Sequence, residues 1–366
     1  MDLLLFAGTR PEIIKLAPIW AAARRAGLSA TWVATGQHST LAESAYEAFG
    51  VEPCRSLALD WDHTSLPSLT GALQCASSKL VEELKPRFVL VQGDTATAYA
   101  GAFAGFLNRV PVGHVEAGLR TETLSSPFPE EGFRRLIARI SDLHFSPTRL
   151  ATGNLRREGV ARSAILETGN TVIDAVQDAA PRARRPEALP ELPRNAKLVL
   201  LTAHRRENWD GKMDGICEAV LTLRDKHPRA HFVLPVHANP RVGERIRETL
   251  GGEERVHLLP ALPYLEFVWL MKQAYLILSD SGGVQEEAVS LGAPVLVMRD
   301  STERMEAVKA GAAKLVGGDP ERIVRAASPI LANPLRRRLM SGKRNPFGDG
   351  RASERIVAGL QTALGG

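Results

Sequence analysis

Residues 275–297, YLILSDSGGVQEEAVSLGAPVLV, decide the fold class, because they predict a strand, a helix and a second strand in immediate succession. The apolar run Tyr275–Leu278 predicts a buried strand, and Ser281–Gly283 then opens a helix that ends before residues 292–294. Strands that are apolar on both faces are typical of parallel sheets covered by helices on both sides.

The same alternation of short apolar runs and amphipathic stretches extends along the 366 residues. The predicted strands include 3–6, 30–34, 88–91, 110–112, 198–201, 231–234, 275–278 and 295–297, and the predicted helices include 12–25, 68–83, 131–140 and 214–226. The chain is too long for one ordinary core. We therefore predict an α/β protein of two Rossmann-like domains with parallel sheets and a deep cleft between them, lined by the carboxyl ends of the strands.

One segment interrupts this rhythm. Residues 181–195, PRARRPEALPELPRN, carry four prolines and no clear period, which marks a connection. We predict a first domain over residues 1–175, a linker over 176–195 and a second domain over 196–349. The last amphipathic stretch, within residues 350–366, is expected to return to the first domain.

Composition excludes several classes of function. The 46 basic and 41 acidic side chains are interleaved, and no nucleic-acid motif is present, so the net charge of +5 suits a small anionic substrate instead. No apolar stretch approaches the roughly 20 residues of a membrane helix. The three cysteines are scattered, which argues against a disulfide framework or a zinc site and fits a reducing cytoplasm. No HExxH metal motif and no GxSxG motif of a serine nucleophile occurs.

Glycine-containing polar clusters follow the predicted strands of the first half. Residues 8–12, GTRPE, follow the first strand, and backbone N–H groups there can meet an anion while Arg10 adds a bidentate contact. Lys15 lies one turn into the helix that follows. The alternative interpretation is an exposed arginine in a capping loop.

Carboxylate residues follow two further predicted strands, and two more lie at the start of a predicted helix. Asp94 follows the strand at 88–91, Glu116 follows the strand at 110–112, and Pro129-Glu130-Glu131 opens a helix. Any one of these could be a helix cap. Converging on one cleft, such carboxylates would repel each other and be partly buried, which raises pKa values and suits general acids or bases near neutral pH.

In the second half, His204 and His237 follow predicted strands, although a lone histidine is often structural. The segment from Ser281 to Glu287 is the strongest local signal. Ser281, Gly282 and Gly283 would let the backbone of a helix start approach a diphosphate, and Glu287 would reach ribose hydroxyls. The alternative is an ordinary helix start capped by a serine or aspartate.

These residues occur in a longer series of motifs, and from residue 4 to about 360 the chain resembles the bacterial non-hydrolysing UDP-N-acetylglucosamine 2-epimerases. The motifs are GTRPEIIKLAP (8–18), TGQH (35–38), QGDT (92–95), HVEAGLRT (114–121), PEE (129–131), ISDLHFSPT (140–148), TGNTVIDA (168–175), AHRREN (203–208), PVHANP (235–240), DSGGVQEEA (280–288), TER (302–304) and NPFGDG (345–350).

The resemblance implies a fold of the B type found in glycosyltransferases (GT-B), a cytoplasmic homodimer and a role in cell-surface polysaccharide biosynthesis. It implies interconversion of UDP-N-acetylglucosamine and UDP-N-acetylmannosamine through elimination of UDP to 2-acetamidoglucal, without cofactor or metal. By motif match, Asp94, Glu116 and Glu130 take the acid and base positions and His204 that of the catalytic histidine. Phe267 matches the uracil position and Glu287 the ribose position; which carboxylate serves which face of C2 stays open.

Some positions depart from the family pattern. Phe128, Phe133 and Met305 stand where tryptophan, asparagine and proline are common, which puts the details of the sugar pocket in question. The resemblance also implies a second site, where a further UDP-N-acetylglucosamine molecule activates many bacterial members of the family. Gln37 of that site is retained, but Thr40 and Ala72 replace its usual polar residues, so we predict that activation of this protein by its substrate is weak or absent. Three alternative functions stay open. The chain could be a 2-epimerase of another UDP sugar, such as a diacetamido-uronate, a metal-free glycosyltransferase of the same fold, or a non-catalytic nucleotide-sugar sensor.

Overall fold

Two separate parallel sheets organise the chain in the computed structural model, which describes residues 1–35, 40–52, 55–57, 59–62, 64–125, 127–203, 212–236, 240–343 and 345–365. The chain divides into two compact units. The first unit comprises Met1–Ala175 and Phe347–Gly366, and the second comprises Val176–Pro346.

The first unit alternates strands with helices. Its strands are β1 (Leu3–Ala7), β2 (Ala30–Ala34), β3 (Arg55–Ser56), β4 (Phe88–Gln92), β5 (Val112–Val115), β6 (Leu143–Ser146) and β7 (Ile165–Glu167). Its helices are α1 (Arg10–Arg25), α2 (Thr40–Phe49), α3 (Leu66–Leu84), α4 (Ala96–Leu107), α5 (Glu130–Ile140), α6 (Arg149–Arg157) and, from the C-terminal segment, α15 (Ala352–Gly365), with a 3-10 turn at Arg162–Ala164. Helix α7 (Thr171–Ala179) contains the passage to the second unit.

The sheet of the first unit has the order β3-β2-β1-β4-β5-β6-β7, and its paired strands are parallel. The chain leaves β1 in one direction and later adds β4 on the other side of β1. The carboxyl ends of β1 and β4 therefore form a topological switch point, where open α/β sheets bind ligands. Helix α4 packs closely on this sheet, since a Cβ at Gly105 would lie 2.6 Å from the Val112 side chain.

The second unit repeats this plan. Its strands are β8 (Lys197–Thr202), β9 (Ala230–Pro235), β10 (Val256–Leu259), β11 (Leu276–Ser279), β12 (Val295–Val297) and β13 (Ala313–Leu315). Its helices are α8 (Lys212–Lys226), α9 (Pro240–Leu250), α10 (Tyr264–Gln273), α11 (Gly282–Ser290), α12 (Met305–Lys309), α13 (Pro320–Ala332) and α14 (Pro334–Ser341). The parallel order β10-β9-β8-β11-β12-β13 puts a second switch point between β8 and β11. The predicted α/β class with two parallel sheets is confirmed.

One predicted strand boundary was wrong. The strand predicted at 110–112 lies at Val112–Val115, so His114 belongs to the strand and does not follow it. The apolar run missed this strand because Gly113 and His114 are not typical core residues. A Cβ on Gly113 would lie 2.9 Å from the side chains of Leu90 and Phe88, and His114 Nε2 contacts the Gly93 carbonyl oxygen. Within the predicted linker, residues 176–179 continue α7, while 180–196 contain neither helix nor strand.

Among the described residues, no helix is long and apolar enough to cross a membrane. The same residues contain no group of three or more histidine, cysteine, aspartate or glutamate side chains that could hold a metal ion.

Candidate functional site

Glu12 joins the two loops at the switch point of the first sheet. Its buried carboxylate accepts the backbone N–H groups of Gly8 (3.0 Å) and Thr9 (2.7 Å) at the start of α1, and the hydroxyl of Thr95 (2.6 Å) at the start of α4. Burial raises the pKa of Glu12 to about 7, although the hydrogen bonds act in the opposite direction. The loop that precedes the predicted residue Arg10 is thereby fixed to the loop that carries Asp94.

The functional importance of Glu12 was missed in the sequence. The signal was available, since Thr9 and Glu12 have the spacing of a capping box at the start of a helix. Arg10 itself is partly buried as the first residue of α1.

Glu116 is the most strongly held of the predicted catalytic carboxylates. The ammonium of Lys15 lies 2.5 Å from Oε1, the side-chain amide of Asn170 donates to the same oxygen at 3.1 Å, and Gln92 Nε2 donates to Oε2. The side chains of Lys15 and Glu116 are each only 6% exposed. Solvent therefore screens this ion pair weakly.

The backbone of Glu116 adopts the left-handed conformation, with φ at +64°. Residues with a Cβ rarely adopt this conformation, and such strain concentrates at functional sites. Two residues earlier, His114 Nε2 lies 2.8 Å from the Gly93 carbonyl oxygen. Burial lowers the pKa of His114 to about 3, so its imidazole is neutral and donates this bond, which fixes the loop between Gln92 and Asp94.

Asp94 and the start of α5 are joined by arginine. Arg134 forms ion pairs with Asp94 and, at 3.3 Å, with Glu131. Glu131 is fully buried and also accepts Arg135 Nε (2.8 Å) and the backbone N–H of Thr121 (3.1 Å). Glu131 therefore stabilises the first turns of α5 and fixes them to the loop at Thr121.

Glu130, the first residue of α5, differs from its neighbour. It is partly buried, and its Oε2 atom is shielded from solvent but has no hydrogen-bond partner among the residues described. The three predicted catalytic carboxylates of the first unit thus lie in one connected neighbourhood: Gln92 contacts Glu116, Asp94 follows on the same strand end, and Arg134 links Asp94 to the helix that Glu130 begins.

In the second unit, a relay of hydrogen bonds fixes the start of α11. The Ser281 side chain makes no capping hydrogen bond, in contrast to an ordinary serine cap. Instead the Gln285 amide donates to the Ser281 carbonyl (3.1 Å), and the Thr302 hydroxyl donates to Gln285 Oε1 (2.9 Å). Because the N–H of a trans peptide points opposite to its carbonyl, the relay also fixes the direction of the Gly282 N–H.

The two glycines of this segment have different environments. A Cβ on Gly282 would lie 2.9 Å from the guanidinium carbon of Arg304, whereas a Cβ on Gly283 would make only ordinary contact, 3.6 Å from Glu287 Oε2. Gly282 is therefore needed for close packing against Arg304 as well as for any approach of a ligand.

A buried, charge-balanced cluster supports this helix start. Arg304 pairs with Glu303 and, at 3.2 Å, with Glu286, and Arg299 pairs with Glu303 at 3.0 Å. The motifs TER and DSGGVQEEA contain Glu303, Arg304 and Glu286, whereas Arg299 was missed because it does not stand out by spacing.

Glu287 is the sixth residue of α11, and its side chain is buried. The Tyr264 hydroxyl donates a hydrogen bond to Glu287 Oε1 at 2.8 Å. Phe267, the residue predicted near uracil, lies on α10 three positions after Tyr264 and is partly buried. Residues three apart share a helix face, so Phe267 lies on the face of α10 from which Tyr264 reaches Glu287. The predicted residues His204 and His237 lie outside the described residues, as does Gln37.

Comparisons with known proteins agree with one another. The sequence profile of the UDP-N-acetylglucosamine 2-epimerase family matches residues 21–361. The chain is 42% identical to UDP-N-acetylglucosamine 2-epimerase of Yersinia pestis over 99% of this chain and 98% of the relative. A crystal structure of UDP-GlcNAc 2-epimerase from Neisseria meningitidis bound to UDP-GlcNAc superposes with a TM-score of 0.95 at 39% identity, covering 99% of this chain and 100% of that one.

A crystal structure of the Methanocaldococcus jannaschii UDP-GlcNAc 2-epimerase in complex with UDP-GlcNAc and UDP is more distant, at 34% identity. It still gives a TM-score of 0.86 and covers 99% of this chain and 100% of that chain. The resemblance inferred from the motifs is confirmed, and the fold is of the GT-B type. The chain belongs to the UDP-N-acetylglucosamine 2-epimerase family and is an isomerase of that family.

Proposed function

We propose that this enzyme interconverts UDP-N-acetylglucosamine and UDP-N-acetylmannosamine without an acceptor. The observation that carries the proposal is the buried Glu116 carboxylate, which Lys15, Gln92 and Asn170 hold at the carboxyl edge of the first sheet. A cytoplasmic location and a role in cell-surface polysaccharide biosynthesis are predictions of the family resemblance.

The proposed reaction proceeds by elimination and re-addition. The C2 hydrogen is not adjacent to a carbonyl, so its simple removal as a proton is unfavourable. In the elimination, the C1–O bond breaks and its electron pair leaves with UDP; the C2 proton passes to a base, and the electrons of the C–H bond form the C1=C2 double bond of 2-acetamidoglucal. Re-addition of UDP at C1 with a proton delivered to the opposite face of C2 gives the epimer.

Asp94, Glu116 and Glu130 are proposed to transfer these protons, together with His204. The three carboxylates have different surroundings, which supports different roles. Glu116 and Asp94 contact the cations of Lys15 and Arg134, whereas Glu130 has one shielded oxygen without a partner among the described atoms. Such differences separate the protonation states of neighbouring carboxylates, as an acid and a base require.

In the second unit, His237 and the start of α11 are proposed to bind UDP. In the first unit, Arg10 and Lys15 are proposed to bind the substrate. The diphosphate gains negative charge as the C1–O bond breaks, and an arginine and the N-terminal end of a helix stabilise such charge. The relay through Thr302 and Gln285 supports this role, since it orients a backbone N–H before the ligand arrives. The proposed UDP contacts in the second unit are Ser281, Gly282 and Gly283 at the diphosphate, Glu287 at the ribose and Phe267 at the uracil.

Solvent exchange tests this proposal directly. The enzyme is incubated with UDP-N-acetylglucosamine in D2O without any acceptor, and the sugar is followed by proton NMR. We expect deuterium at C2 and the appearance of the manno epimer. A protein that binds UDP but gives neither signal would refute the reaction. Exchange confined to a UDP-diacetamido-uronate would indicate the other substrate, and transfer that needs an added acceptor would indicate a glycosyltransferase.

We also propose that two copies of the chain associate through one face of the first unit. Helix α4 carries no charged residue, and its exposed end presents Phe106 (54% exposed) and Leu107 (56%). Tyr99, Phe103 and Phe106 form a continuous aromatic row, with centroid distances of 5.8 and 6.3 Å. An exposed apolar surface without charge is typical of an interface and suits a second identical surface.

The test is Phe106→Asp, with Leu335→Asp as control, because Leu335 is at least as exposed (62%) but lies in the second unit. Sedimentation at micromolar concentration should show a dimer for the wild type and the control and a monomer for Phe106→Asp. A wild-type monomer, or a Phe106→Asp dimer, would refute the assignment of this face.

A further inference from the structure

We propose that Asn170 is a positioning residue that holds the carboxylate of Glu116 in its ionised form, an inference that rests on the proposed function. Asn170 directly precedes α7, 54 residues from Glu116 in the chain, and both side chains are buried. Its Nδ2 donates to Glu116 Oε1 at 3.1 Å, the oxygen that Lys15 also contacts.

The amide of Asn170 has one orientation that satisfies its neighbours. Its Oδ1 accepts the backbone N–H of Val172 at 3.1 Å, so the NH2 group must face Glu116. The flipped amide would oppose one donor with another. The backbone N–H of Asn170 donates to the Phe347 carbonyl at 2.7 Å, which anchors the residue beside the segment where the chain returns from the second unit.

Three described side chains donate to the Glu116 carboxylate, and a neutral imidazole lies on the same strand end. Lys15 on α1, Gln92 on β4 and Asn170 before α7 each donate to its carboxylate, and His114 on β5 is neutral because burial lowers its pKa to about 3. Hydrogen bonds to the charged form of a carboxylate favour that form. These donors favour the carboxylate form that a base needs in order to accept a proton, and Asn170 supplies one of them.

A purely structural role for Asn170 makes a different prediction. Asn170 also caps α7 through Oδ1, and aspartate caps a helix about as well as asparagine. Asn170→Asp therefore preserves the size and the cap while it replaces the donor facing Glu116 by a carboxylate oxygen. Asn333→Asp is the matched control, because Asn333 caps α14 in the same way, is exposed and accepts the N–H of Leu335 at 2.9 Å.

The experiment measures C2 exchange at saturating UDP-N-acetylglucosamine across pH, and UDP binding separately. Like charges raise the pH at which a carboxylate ionises. We expect Asn170→Asp to lower kcat at neutral pH roughly tenfold or more and to shift the acid limb of the pH profile upward, with the UDP dissociation constant nearly unchanged. Asn333→Asp should match the wild type. An Asn170→Asp enzyme with wild-type kcat and pH profile would overturn the proposal.

A second measurement does not depend on activity. In enzyme labelled with 13C at the glutamate carboxyl, the Glu116 resonance is assigned by its loss in Glu116→Gln, and its titration midpoint should lie at higher pH in Asn170→Asp than in the wild type. Equal midpoints would refute the inference. Absence of C2 exchange in the wild type would refute the proposed function alone, and the carboxyl titration would still decide the role of Asn170. If Asn170→Asp does not fold, Asn170→Ser keeps an oxygen cap, removes the side-chain NH2 group that reaches Glu116 and serves for the same measurements.

Discussion

Replacing Glu116 with glutamine removes the carboxylate that pairs with the buried Lys15 ammonium. Because both side chains are only 6% exposed, water cannot take over the role of the lost partner. Breaking a buried ion pair from one side costs about 3–5 kcal/mol. We therefore expect Glu116→Gln to lower the free energy of unfolding of the first unit by about that amount in urea denaturation.

A matched pair of variants tests this magnitude. Glu354→Gln breaks the ion pair of Glu354 with Arg351, in which the Arg351 side chain is 68% exposed and the Glu354 side chain 56%. This variant should lower the free energy of unfolding by less than about 1 kcal/mol. Adding Lys15→Met to Glu116→Gln removes the buried cation and should restore most of the stability, while C2 exchange stays abolished. A Glu116→Gln enzyme as stable as Glu354→Gln, or one that still exchanges the C2 hydrogen at the wild-type rate, would refute the reasoning.

Three further predictions concern other parts of the site. Glu287→Gln should weaken UDP binding by about 1.5–3 kcal/mol, roughly 10- to 150-fold by calorimetry, because a charge-assisted hydrogen bond to the ribose is lost. Tyr264→Phe should weaken UDP binding less, because it removes only the hydroxyl that orients Glu287 at 2.8 Å. Equal losses of UDP affinity would contradict the assignment of Glu287 to the ribose. Gly282→Ala should lower the free energy of unfolding by about 1–3 kcal/mol in urea denaturation, because the added Cβ would lie 2.9 Å from the Arg304 guanidinium carbon. Gly71→Ala on α3 is the control: its added Cβ would meet no atom within 4 Å, so this variant should not lower the stability of the protein. Burial raises the pKa of Glu12 to about 7 from the ordinary glutamate value of about 4.5, so its contribution to stability is fully present below pH 4.5 and is lost as the pH rises toward 7. Relative to Glu12→Gln, the wild type should lose about 3 kcal/mol of unfolding free energy over that interval, and a pH-independent difference would refute this prediction.

The fold class was predictable from sequence because hydrophobic periodicity is local. A run such as Leu3–Ala7 is apolar at every position and is fully buried, as strands covered on both faces must be. The failure at 110–112 has the same origin: β5 includes Gly113 and His114, whose places in the sheet depend on neighbouring strands that the local pattern does not reveal.

The positions of the site residues were predictable in part, since parallel strands bring their carboxyl ends to one edge. Asp94 and Ser281 follow β4 and β11 at the two switch points for this reason. Their partners were not predictable. The contacts of Asn170 with Glu116 and of Thr95 with Glu12 join residues 54 and 83 positions apart, and only tertiary packing selects such pairs.

The central claim is that the C1–O bond to UDP breaks during epimerisation. Positional isotope exchange tests it most directly: UDP-N-acetylglucosamine labelled with 18O in the bridge between C1 and the β-phosphorus is incubated with the enzyme and followed by 31P NMR. We predict that the label moves into the non-bridging positions of the β-phosphoryl group while deuterium enters C2. Epimerisation with C2 exchange but with the label retained in the bridge would contradict the account.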